Sequence, residues 1–496
     1  MTEHPEVLTQ GGIRNVTVCR TADHAVQTIH SIYDDNVLRI KNKLASLISS
    51  SQDSEPLEEN LEGEGYYPFV GINVEELNKN LDTKLSFGAI QETGFYGTTI
   101  TRPQLFDSYL KGQLSLLIKY HKAPLYVGES NTPIPLPFAI DHEPGIAKKG
   151  PLWFVSQNFV LPDLSTIDDN IANATPISTT GINPLSLFTA PRVDISLHRL
   201  EHYTGTSAEH FQQFILLTNY QRYVDAFVTY SQEMLLTNPE YTSLIEPGNR
   251  TTFHADGKLI CEGELNSHTQ MPAYHLKCAD GNGVTFINIG VGPSNAKTIT
   301  DHLAVLRPHC WLMLGHCAGL RRSQLLGDYV LAHAYVREDH VLDSDLPGWI
   351  PIPPIAEVQV ALQQAVAKVT GISGPELKSR MRTGTVFTTD NRNWEFRSNE
   401  LFQQFQQSRA MALDMESATV AANGFRFRVP YGTLLCVSDK PVHGEIKLKG
   451  MANEFYRKRV VQHLEIGLET MRILRESDPD SLHSRKLRGF DDPPFR

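Results

Sequence analysis

Several features that mark common protein classes are missing from this 496-residue sequence. Its six cysteines are scattered and form no C-x-x-C pair, so we expect them to be reduced and to serve as small core residues. No apolar run is long enough to cross a bilayer, and the first residues lack the basic and apolar segments of a signal peptide. These absences predict a cytoplasmic protein with no membrane partner.

The sequence also argues against nucleic acid, anionic membranes, P-loop nucleotides, dinucleotides and metal ions as ligands. The net charge of −11 argues against general binding to nucleic acid or to an anionic membrane, so small molecules are the expected ligands. No P-loop is present, and residues 290–295 (GVGPSN) lack the third glycine of a dinucleotide-binding fingerprint. His309, Cys310, His316 and Cys317 flank an apolar strand without the spacing of metal ligands, so no metal site is predicted.

The character of the sequence changes near residue 190. Residues 24–50 have the apolar spacing of a helix, and residues 86–101 are rich in Gly, Thr and aromatic residues, as in a β-hairpin. A helix with Pro103 in its first turn is expected to follow. Residues 141–190 are rich in Pro, Asn, Asp, Ser and Thr, which is typical of a linker.

We therefore predict a smaller α+β N-terminal domain over residues 1–190 and a second domain over residues 191–496. In the second domain, apolar strands alternate with turns of small residues and with helical patterns. This alternation predicts an α/β domain with a central parallel or mixed sheet flanked by helices.

The last predicted strand ends on two polar residues. Residues 434–437 are continuously apolar, as in a strand covered on both faces, and Ser438 and Asp439 follow directly. Ligands of open α/β sheets bind outside the carboxyl ends of the strands, so Asp439 is a candidate for chemistry. The alternative is an aspartate that caps a turn or the next helix.

A second acidic element, Asp414, Met415 and Glu416, lies at a predicted helix start, where carboxylates are favoured by the helix dipole. By itself this pattern indicates a cap for Asp414 and leaves a cap and a functional role equally open for Glu416. Followed by a strand that ends in Ser-Asp, it resembles the purine nucleoside phosphorylase and uridine phosphorylase superfamily. That resemblance implies that Met-Glu binds the ribose hydroxyls and that Ser-Asp binds the purine.

Other segments extend this resemblance in the same order along the chain. They are TNYQR at 218–222, GVGPSN at 290–295 and LGHCAG at 314–319. Longer segments, among them LDMESAT and PYGTLLCVSDKP, resemble the bacterial AMP nucleosidase family, and TTITRPQLF resembles its extra N-terminal domain. The resemblance implies a nucleoside-phosphorylase-like catalytic domain that hydrolyses AMP to adenine and ribose 5-phosphate. It also implies a homohexamer, with MgATP as activator, phosphate as inhibitor and no cofactor required for the chemistry.

The residue types suit cleavage of an N-glycoside. The reaction builds positive charge on the ribose and negative charge on the base, so a proton donor and close control of the sugar are needed. A partly desolvated strand-end carboxyl can have its pKa raised toward neutrality, so Asp439 is the predicted general acid and Ser438 orients it. Glu416 is predicted to accept hydrogen bonds from the ribose 2′ and 3′ hydroxyls, with Met415 packed under the sugar.

Five further residues are candidates for binding anions. Arg222 at a helix start is a predicted anion ligand, with a surface position on an amphipathic helix as the alternative. The resemblance assigns His202 and Tyr203 to the AMP phosphate, with a polar turn as the equally weighted alternative. Thr101 and Arg102 precede a Pro-initiated helix and are a predicted regulatory anion site; the alternative is a strand-to-helix junction with an exposed arginine.

Two other functions stay open at this point: a phosphate-dependent phosphorylase with a regulatory domain, and a non-catalytic nucleotide sensor. The phosphorylases hold phosphate with an arginine and a serine for which this chain has Met313 and His316, so phosphate should bind poorly as a co-substrate. His316 is instead predicted to bind the substrate. The pair Glu416 and Asp439 argues against the sensor. Because every candidate catalytic residue lies beyond residue 200, the domain over residues 1–190 is predicted to be regulatory and the domain over residues 191–496 to be catalytic.

Overall fold

A computed structural model describes residues 5–50, 64–77, 87–140, 157–175, 181–446, 453–477, 482, 487–489 and 492–496. The chain forms two compact units, Met1–His198 with Gly489–Arg496, and Arg199–Arg488. The predicted boundary after residue 190 differs from this division. Asp194, in the helix that begins at Ala190, accepts a hydrogen bond from Tyr67 of the first unit, and Phe495 of the C-terminal segment lies in that unit's core. The assignment of regulation to residues 1–190 and of catalysis to residues 191–496 stays a prediction.

Within the described residues, the first unit has a five-stranded sheet in the order β1-β4-β2-β3-β5. The strands are β1 (Arg14–Cys19), β2 (Tyr66–Val74), β3 (Gly94–Thr99), β4 (Leu125–Pro133) and β5 (Ile182–Pro184). The helices are α1 (Glu6–Gln10), α2 (Ala22–Ser50), α3 (Asp107–His121) and α4 (Leu136–Ala139), and α5 (Ala190–Thr204) follows. Apolar residues of α2 and α3 pack on the sheet as one core cluster.

The local predictions for the first half have mixed outcomes. The helix predicted over residues 24–50 is confirmed as α2. The hairpin predicted over residues 86–101 is wrong. Of residues 87–101, only Gly94–Thr99 form a strand, β3, and its partners are β2 and β5. The next helix begins at Asp107 after a turn, with Arg102 at a φ of 42°, so Pro103 precedes it. Of the predicted linker, residues 141–156 and 176–180 lie outside the described residues.

The second unit has an eleven-stranded sheet in its described part, in the order β15-β14-β13-β16-β12-β6-β11-β10-β7-β8-β9. The strands are β6 (Phe214–Thr218), β7 (Tyr241–Glu246), β8 (Arg250–Ala255), β9 (Lys258–Glu262), β10 (Ala273–Cys278), β11 (Val284–Asn288), β12 (Cys310–Gly319), β13 (Tyr329–Glu338), β14 (Met381–Thr389), β15 (Ala412–Asp414) and β16 (Tyr431–Asp439). The helices are α6 (Gln221–Thr237), α7 (Pro293–Leu303), α8 (Ala356–Thr370), α9 (Ser398–Ser408), α10 (Ser417–Phe427) and α11 (Asn453–Glu476). Parallel and antiparallel pairs both occur, which confirms the predicted mixed sheet.

Five strands of this sheet close into a ring. The short strand β15 pairs with β14 on one side and with β12 on the other, so β12, β16, β13, β14 and β15 form a closed circuit. One buried cluster draws mostly small side chains from all five strands: Cys317, Val330, Ala332, Val386, Ala412, Leu435 and Val437. These side chains fill the ring, and the ring brings the end of β15 beside the ends of β12 and β16.

No helix in the described part of the chain combines the length and hydrophobicity needed to cross a bilayer. Of the six cysteines, five are buried and Cys261 is exposed, and none is in a disulfide. The predicted role as a core residue therefore does not hold for Cys261, which lies on β9, a strand whose residues are exposed except for the half-buried Leu259.

The first unit should depend strongly on Phe495. Its ring is 1% exposed and meets the Tyr109 ring edge-on at 6.3 Å, and its backbone N–H donates to the Leu185 carbonyl at 3.0 Å. Phe495→Ala should lower the free energy of unfolding of this unit by about 3–5 kcal/mol. Hydrogen exchange of α3 amides should speed up accordingly. The control Phe396→Ala removes a 90% exposed ring and should leave that exchange unchanged; equal exchange in both variants would contradict the packing role.

Candidate active site

Ser438 and Asp439 end a buried strand, as predicted. The strand β16 lies between β12, which runs parallel to it, and β13, which runs antiparallel. The Ser438 Oγ lies 2.7 Å from the Asp439 Oδ1 and 3.3 Å from the carbonyl oxygen of Cys317. Asp439 is half-buried, so its carboxyl is partly desolvated and still accessible. A hydroxyl that donates to this carboxylate restrains its orientation, which fits the role predicted for Ser438.

Glu416 is the most deeply buried acidic residue of the predicted set, with 0% exposure. Its Oε1 accepts a hydrogen bond from the backbone N–H of Gly292 at 2.6 Å. Its Oε2 accepts one from the Asn219 Nδ2 at 2.8 Å. Two donors on a buried carboxylate offset part of its desolvation cost and fix its position.

These two donors come from the two loops whose sequences suggested a binding role. Asn219 lies just before α6 in the TNYQR segment, and Gly292 precedes α7 in GVGPSN. The two regions are also joined, because the Nδ2 of Asn288, the last residue of β11 before GVGPSN, donates to the Gln221 Oε1 of TNYQR at 3.0 Å. The LGHCAG segment, which the resemblance made a turn, lies within strand β12 and is close to these loops: a Cβ placed on Gly315 would be 3.5 Å from the Asn219 Oδ1. The structure thus brings TNYQR, GVGPSN, LGHCAG and DMES together.

Asp414 has the capping role predicted for it. Its carboxylate accepts from the backbone N–H of Ser417 at 2.9 Å and from the Thr388 hydroxyl at 2.6 Å, and the Ser417 hydroxyl also donates to it. These bonds tie the start of α10 to β14 and β15. Because Glu416 immediately precedes α10, the cap sets the place from which its side chain reaches the two loops.

Two buried carboxyls this close shift each other's proton affinity. The pKa of Glu416 is raised to about 8, mainly by burial and also by the charge of the neighbouring Asp414, while the hydrogen bonds from Gly292 and Asn219 oppose the shift. Burial likewise raises the pKa of Asp414, against the bonds from Ser417 and Thr388. Glu416 therefore holds a proton near neutral pH in the unliganded chain, and donors from a ligand would favour its ionised form.

The other predicted residues of the second unit occupy two different places. Met415 is half-buried beside Glu416, and Arg222 is exposed in the first turn of α6. His316 is half-buried on β12, where its ring lies 5.2 Å from the Tyr220 ring. The rings of His202 and Tyr203 meet edge-on with centroids 5.1 Å apart, and Tyr203 stacks on His302 at 6.1 Å.

No hydrogen bond among the described residues links His202 or Tyr203 to Glu416. Their predicted phosphate role stays a prediction.

In the first unit, Thr101 and Arg102 face a buried carboxylate that the sequence did not reveal. The Thr101 hydroxyl donates to the Asp194 Oδ1 at 2.8 Å, and the Arg102 Nε lies 3.6 Å from the same atom. The Tyr67 hydroxyl donates to the Asp194 Oδ2 at 2.6 Å. Burial raises the pKa of Asp194 to about 6, although Arg102 opposes the shift. The alternative of a junction with an exposed arginine is not what the structure shows, since Arg102 is largely buried.

The described residues hold no group of three or more His, Cys, Asp or Glu side chains arranged for a metal ion. The arrangement supplies instead a buried carboxyl just past the end of β15, held by two donors, and a partly exposed carboxyl at the end of β16; both strands pair with β12. One can fix a polyhydroxyl ligand, and the other can exchange a proton with it. Sequence reasoning missed Asn219 and Gly292 as donors to Glu416; the only local signal was their place in the two loops.

Comparison with known proteins gives consistent similarities. Residues 24–182 match the family described as "Bacterial AMP nucleoside phosphorylase N-terminus", and residues 254–468 match the family described as "Phosphorylase superfamily". The chain is 49% identical to the AMP nucleosidase of Escherichia coli over 482 residues, which cover 96% of this chain and 98% of the relative.

Two solved structures are similar to part of the chain. One is the AMP nucleosidase from Bacteroides thetaiotaomicron, with 29% identity and a TM-score of 0.43, covering 57% of this chain and 98% of that one. The other is the purine nucleoside phosphorylase from Toxoplasma gondii in complex with immucillin-H, with 17% identity and a TM-score of 0.40. It covers 55% of this chain and 97% of that one.

The raised pKa of Glu416 should be visible in the pH dependence of stability. Between about pH 4.5 and 8 the folded state binds a proton that the unfolded state has released, so stability should fall as pH rises through this window. Glu416→Gln removes this contribution, and the slope should become less steep by up to about 1.4 kcal/mol per pH unit. Urea unfolding at several pH values measures it. The exposed control Glu264→Gln should keep the wild-type slope, and a wild-type slope in Glu416→Gln would refute the shift.

Proposed function

The chain belongs to the AMP nucleosidase family, and we propose that it hydrolyses the N-glycosidic bond of AMP to give adenine and ribose 5-phosphate. The observation that carries this proposal is the pair of carboxyls at the ends of β15 and β16, which both pair with β12, one carboxyl held by two loops and one half-buried. The products suit a role in purine salvage and in control of the adenylate pool.

The two carboxyls divide the work. Asp439, oriented by Ser438, donates a proton to the imidazole ring of adenine as the electrons of the glycosidic bond move to the base. Glu416 accepts hydrogen bonds from the ribose 2′ and 3′ hydroxyls, and its negative charge stabilises the positive charge that develops on the sugar. Asn219 and Gly292 keep the Glu416 carboxylate in place during this step. Met415 packs under the sugar.

A phosphate-dependent phosphorylase is the second candidate, and the residues on β12 argue against it. Met313 is fully buried and carries no charge, and the ring of His316 packs against Tyr220. Neither side chain replaces the bidentate guanidinium and the hydroxyl that would hold a phosphate dianion, each bond being worth roughly 1.5–3 kcal/mol. Water is therefore the better nucleophile for this site.

The remaining functional assignments are also part of this proposal. The 5′-phosphate of AMP is bound by Arg222, by His202 and Tyr203, and His316 contacts the substrate. The active form is a cytoplasmic homohexamer activated by MgATP and inhibited by phosphate. An anion that binds at Thr101 and Arg102 must compete with Asp194 for the same donors, so the first unit is regulatory only if an effector can displace that contact.

Asp439→Asn is the direct test of the general acid. The amide keeps the shape of the side chain but cannot donate a carboxyl proton, so turnover should fall about 10²- to 10⁴-fold while AMP binding stays close to that of the wild type. Adenine release and equilibrium binding of AMP measure the two effects. Asp256→Asn, an isosteric change in an exposed turn, should behave as wild type. Wild-type turnover in Asp439→Asn would remove this residue from its role.

The nucleophile separates hydrolysis from phosphorolysis. In phosphate-free buffer the enzyme should convert AMP to adenine and ribose 5-phosphate, because the site lacks the ligands for a phosphate co-substrate. Product analysis by mass spectrometry, with and without phosphate, identifies the sugar. In the same assay MgATP should raise the rate and phosphate should lower it. Strict dependence on phosphate, with ribose 1,5-bisphosphate as the product, would establish the phosphorylase instead.

A further inference from the structure

A buried chain of polar groups leads from His316 into the interior of the second unit. The His316 Nε2 lies 3.5 Å from the Tyr223 hydroxyl, and that hydroxyl lies 2.7 Å from the His463 Nδ1. The His463 Nε2 lies 3.0 Å from the backbone carbonyl oxygen of Leu434. Tyr223 and His463 are both 0% exposed, and they come from α6 and α11. Nothing in the mechanism above uses them.

The carbonyl at the end of this chain fixes the direction of every hydrogen bond in it. A carbonyl oxygen can only accept, so the His463 Nε2 carries a proton and donates it to Leu434. The pKa of His463 is lowered to about 3, mainly by burial and also by the nearby His316, so the ring is neutral and Nδ1 is an acceptor. Tyr223 must then donate to the His463 Nδ1, and its oxygen accepts from the His316 Nε2.

This direction determines the tautomer of His316. With Nε2 protonated toward Tyr223, the neutral ring of His316 carries its lone pair on Nδ1. Its ring also contacts the rings of Tyr220 at 5.2 Å and Tyr223 at 5.6 Å, which restrict rotation. The tautomer and the orientation of a half-buried histidine are therefore set from the interior of the protein.

The ring belongs to the neighbourhood of the candidate site. The His316 ring lies 5.2 Å from the ring of Tyr220, which directly follows Asn219, and Asn219 donates to Glu416. The backbone of His316 pairs with Cys436, on the strand that ends in Ser438 and Asp439. His316 thus lies on the strand between the residues that hold the sugar and the residues that protonate the base.

We propose that His316 accepts the proton of the attacking water through Nδ1, and that Tyr223 and His463 are positioning residues that hold it in the required tautomer. This inference rests on the hydrolysis proposed above. The water oxygen forms a bond to ribose C1′ as the bond from C1′ to the base breaks, and its electrons leave with adenine. Adenine takes the proton of Asp439, and His316 takes a proton from the water. Return of that proton to Asp439 through solvent restores both groups.

Four variants test the hydrogen-bonded chain from His316 through Tyr223 and His463 to Leu434. Tyr223→Phe keeps the buried ring and removes the hydroxyl. His463→Gln keeps an acceptor for Tyr223 and a donor for Leu434, whereas His463→Met fills the space with neither. The matched control is Tyr329→Phe, which removes the hydroxyl of another buried tyrosine. The Tyr329 ring also lies against His463, but its hydroxyl donates to Gln462, which is not part of the hydrogen-bonded chain from His316 to Leu434.

The expected result is a split between kcat and KM. Tyr223→Phe and His463→Met should each lower kcat for AMP about 10- to 100-fold, with KM changed less than about threefold, since the chain acts on the water and not on AMP binding. His463→Gln and Tyr329→Phe should stay within about threefold of wild type. The double variant Tyr223→Phe/His463→Met should be no slower than the slower single variant, because both break one chain.

A wild-type kcat in correctly folded Tyr223→Phe, or equal losses in His463→Gln and His463→Met, would overturn the proposal. Crystal structures of the unliganded variants provide a readout that does not require AMP cleavage. The His316 ring should reorient in Tyr223→Phe and in His463→Met, and should keep its place in His463→Gln; an unmoved ring in all three would also overturn it. If the wild type releases no adenine from AMP, hydrolysis itself is refuted. The position of the His316 ring in the variant structures still decides whether Tyr223 and His463 hold that ring.

Discussion

The requirement that a fully buried carboxylate receive hydrogen bonds organises the second unit around Glu416. Leaving its two buried oxygens without donors would cost several kcal/mol, so the Asn219 amide and the Gly292 backbone N–H must both reach them. Those donors lie on loops that follow β6 and β11, and each loop starts a helix. Satisfying one side chain therefore fixes the approach of two helices and the edge of the sheet at which a ligand can bind.

The ring of five strands supplies the second constraint. Because β15 pairs with both β14 and β12, the end of β15 cannot move away from the ends of β12 and β16. The ring is narrow, and small buried residues such as Cys317, Ala332 and Ala412 fill it without forcing the strands apart. Glu416 lies just past the end of β15, and Asp439 is the last residue of β16. The distance between them therefore depends more on the backbone pairing of the ring than on either side chain.

Buried carboxylates recur as anchors in the protein. Asp414 joins the start of α10 to its neighbouring strands, and in the first unit Asp194 collects donors from Tyr67, Thr101 and Arg102. In each case burial raises the pKa and hydrogen bonds oppose the shift. Glu416 differs in its position beside half-buried Met415 at the strand ends, where a ligand that offers further donors can change its charge. The same physical device thus serves structure at two positions and, in the proposed mechanism, substrate binding at the third.

Local sequence determined the elements that need only neighbouring residues. The apolar run before Ser438 predicted a buried strand, and the acidic residues before Ser417 predicted a helix start with an Asp414 cap; both were correct because strand burial and capping act over a few residues. Tertiary structure alone decided which distant groups meet. Asn219 and Glu416 are separated by 197 positions, and Tyr223 and His463 by 240, and no local pattern encodes such pairings. The partners of β3 were misjudged for the same reason: composition predicts an extended strand, but the hydrogen bonds that complete it depend on packing across the whole sheet.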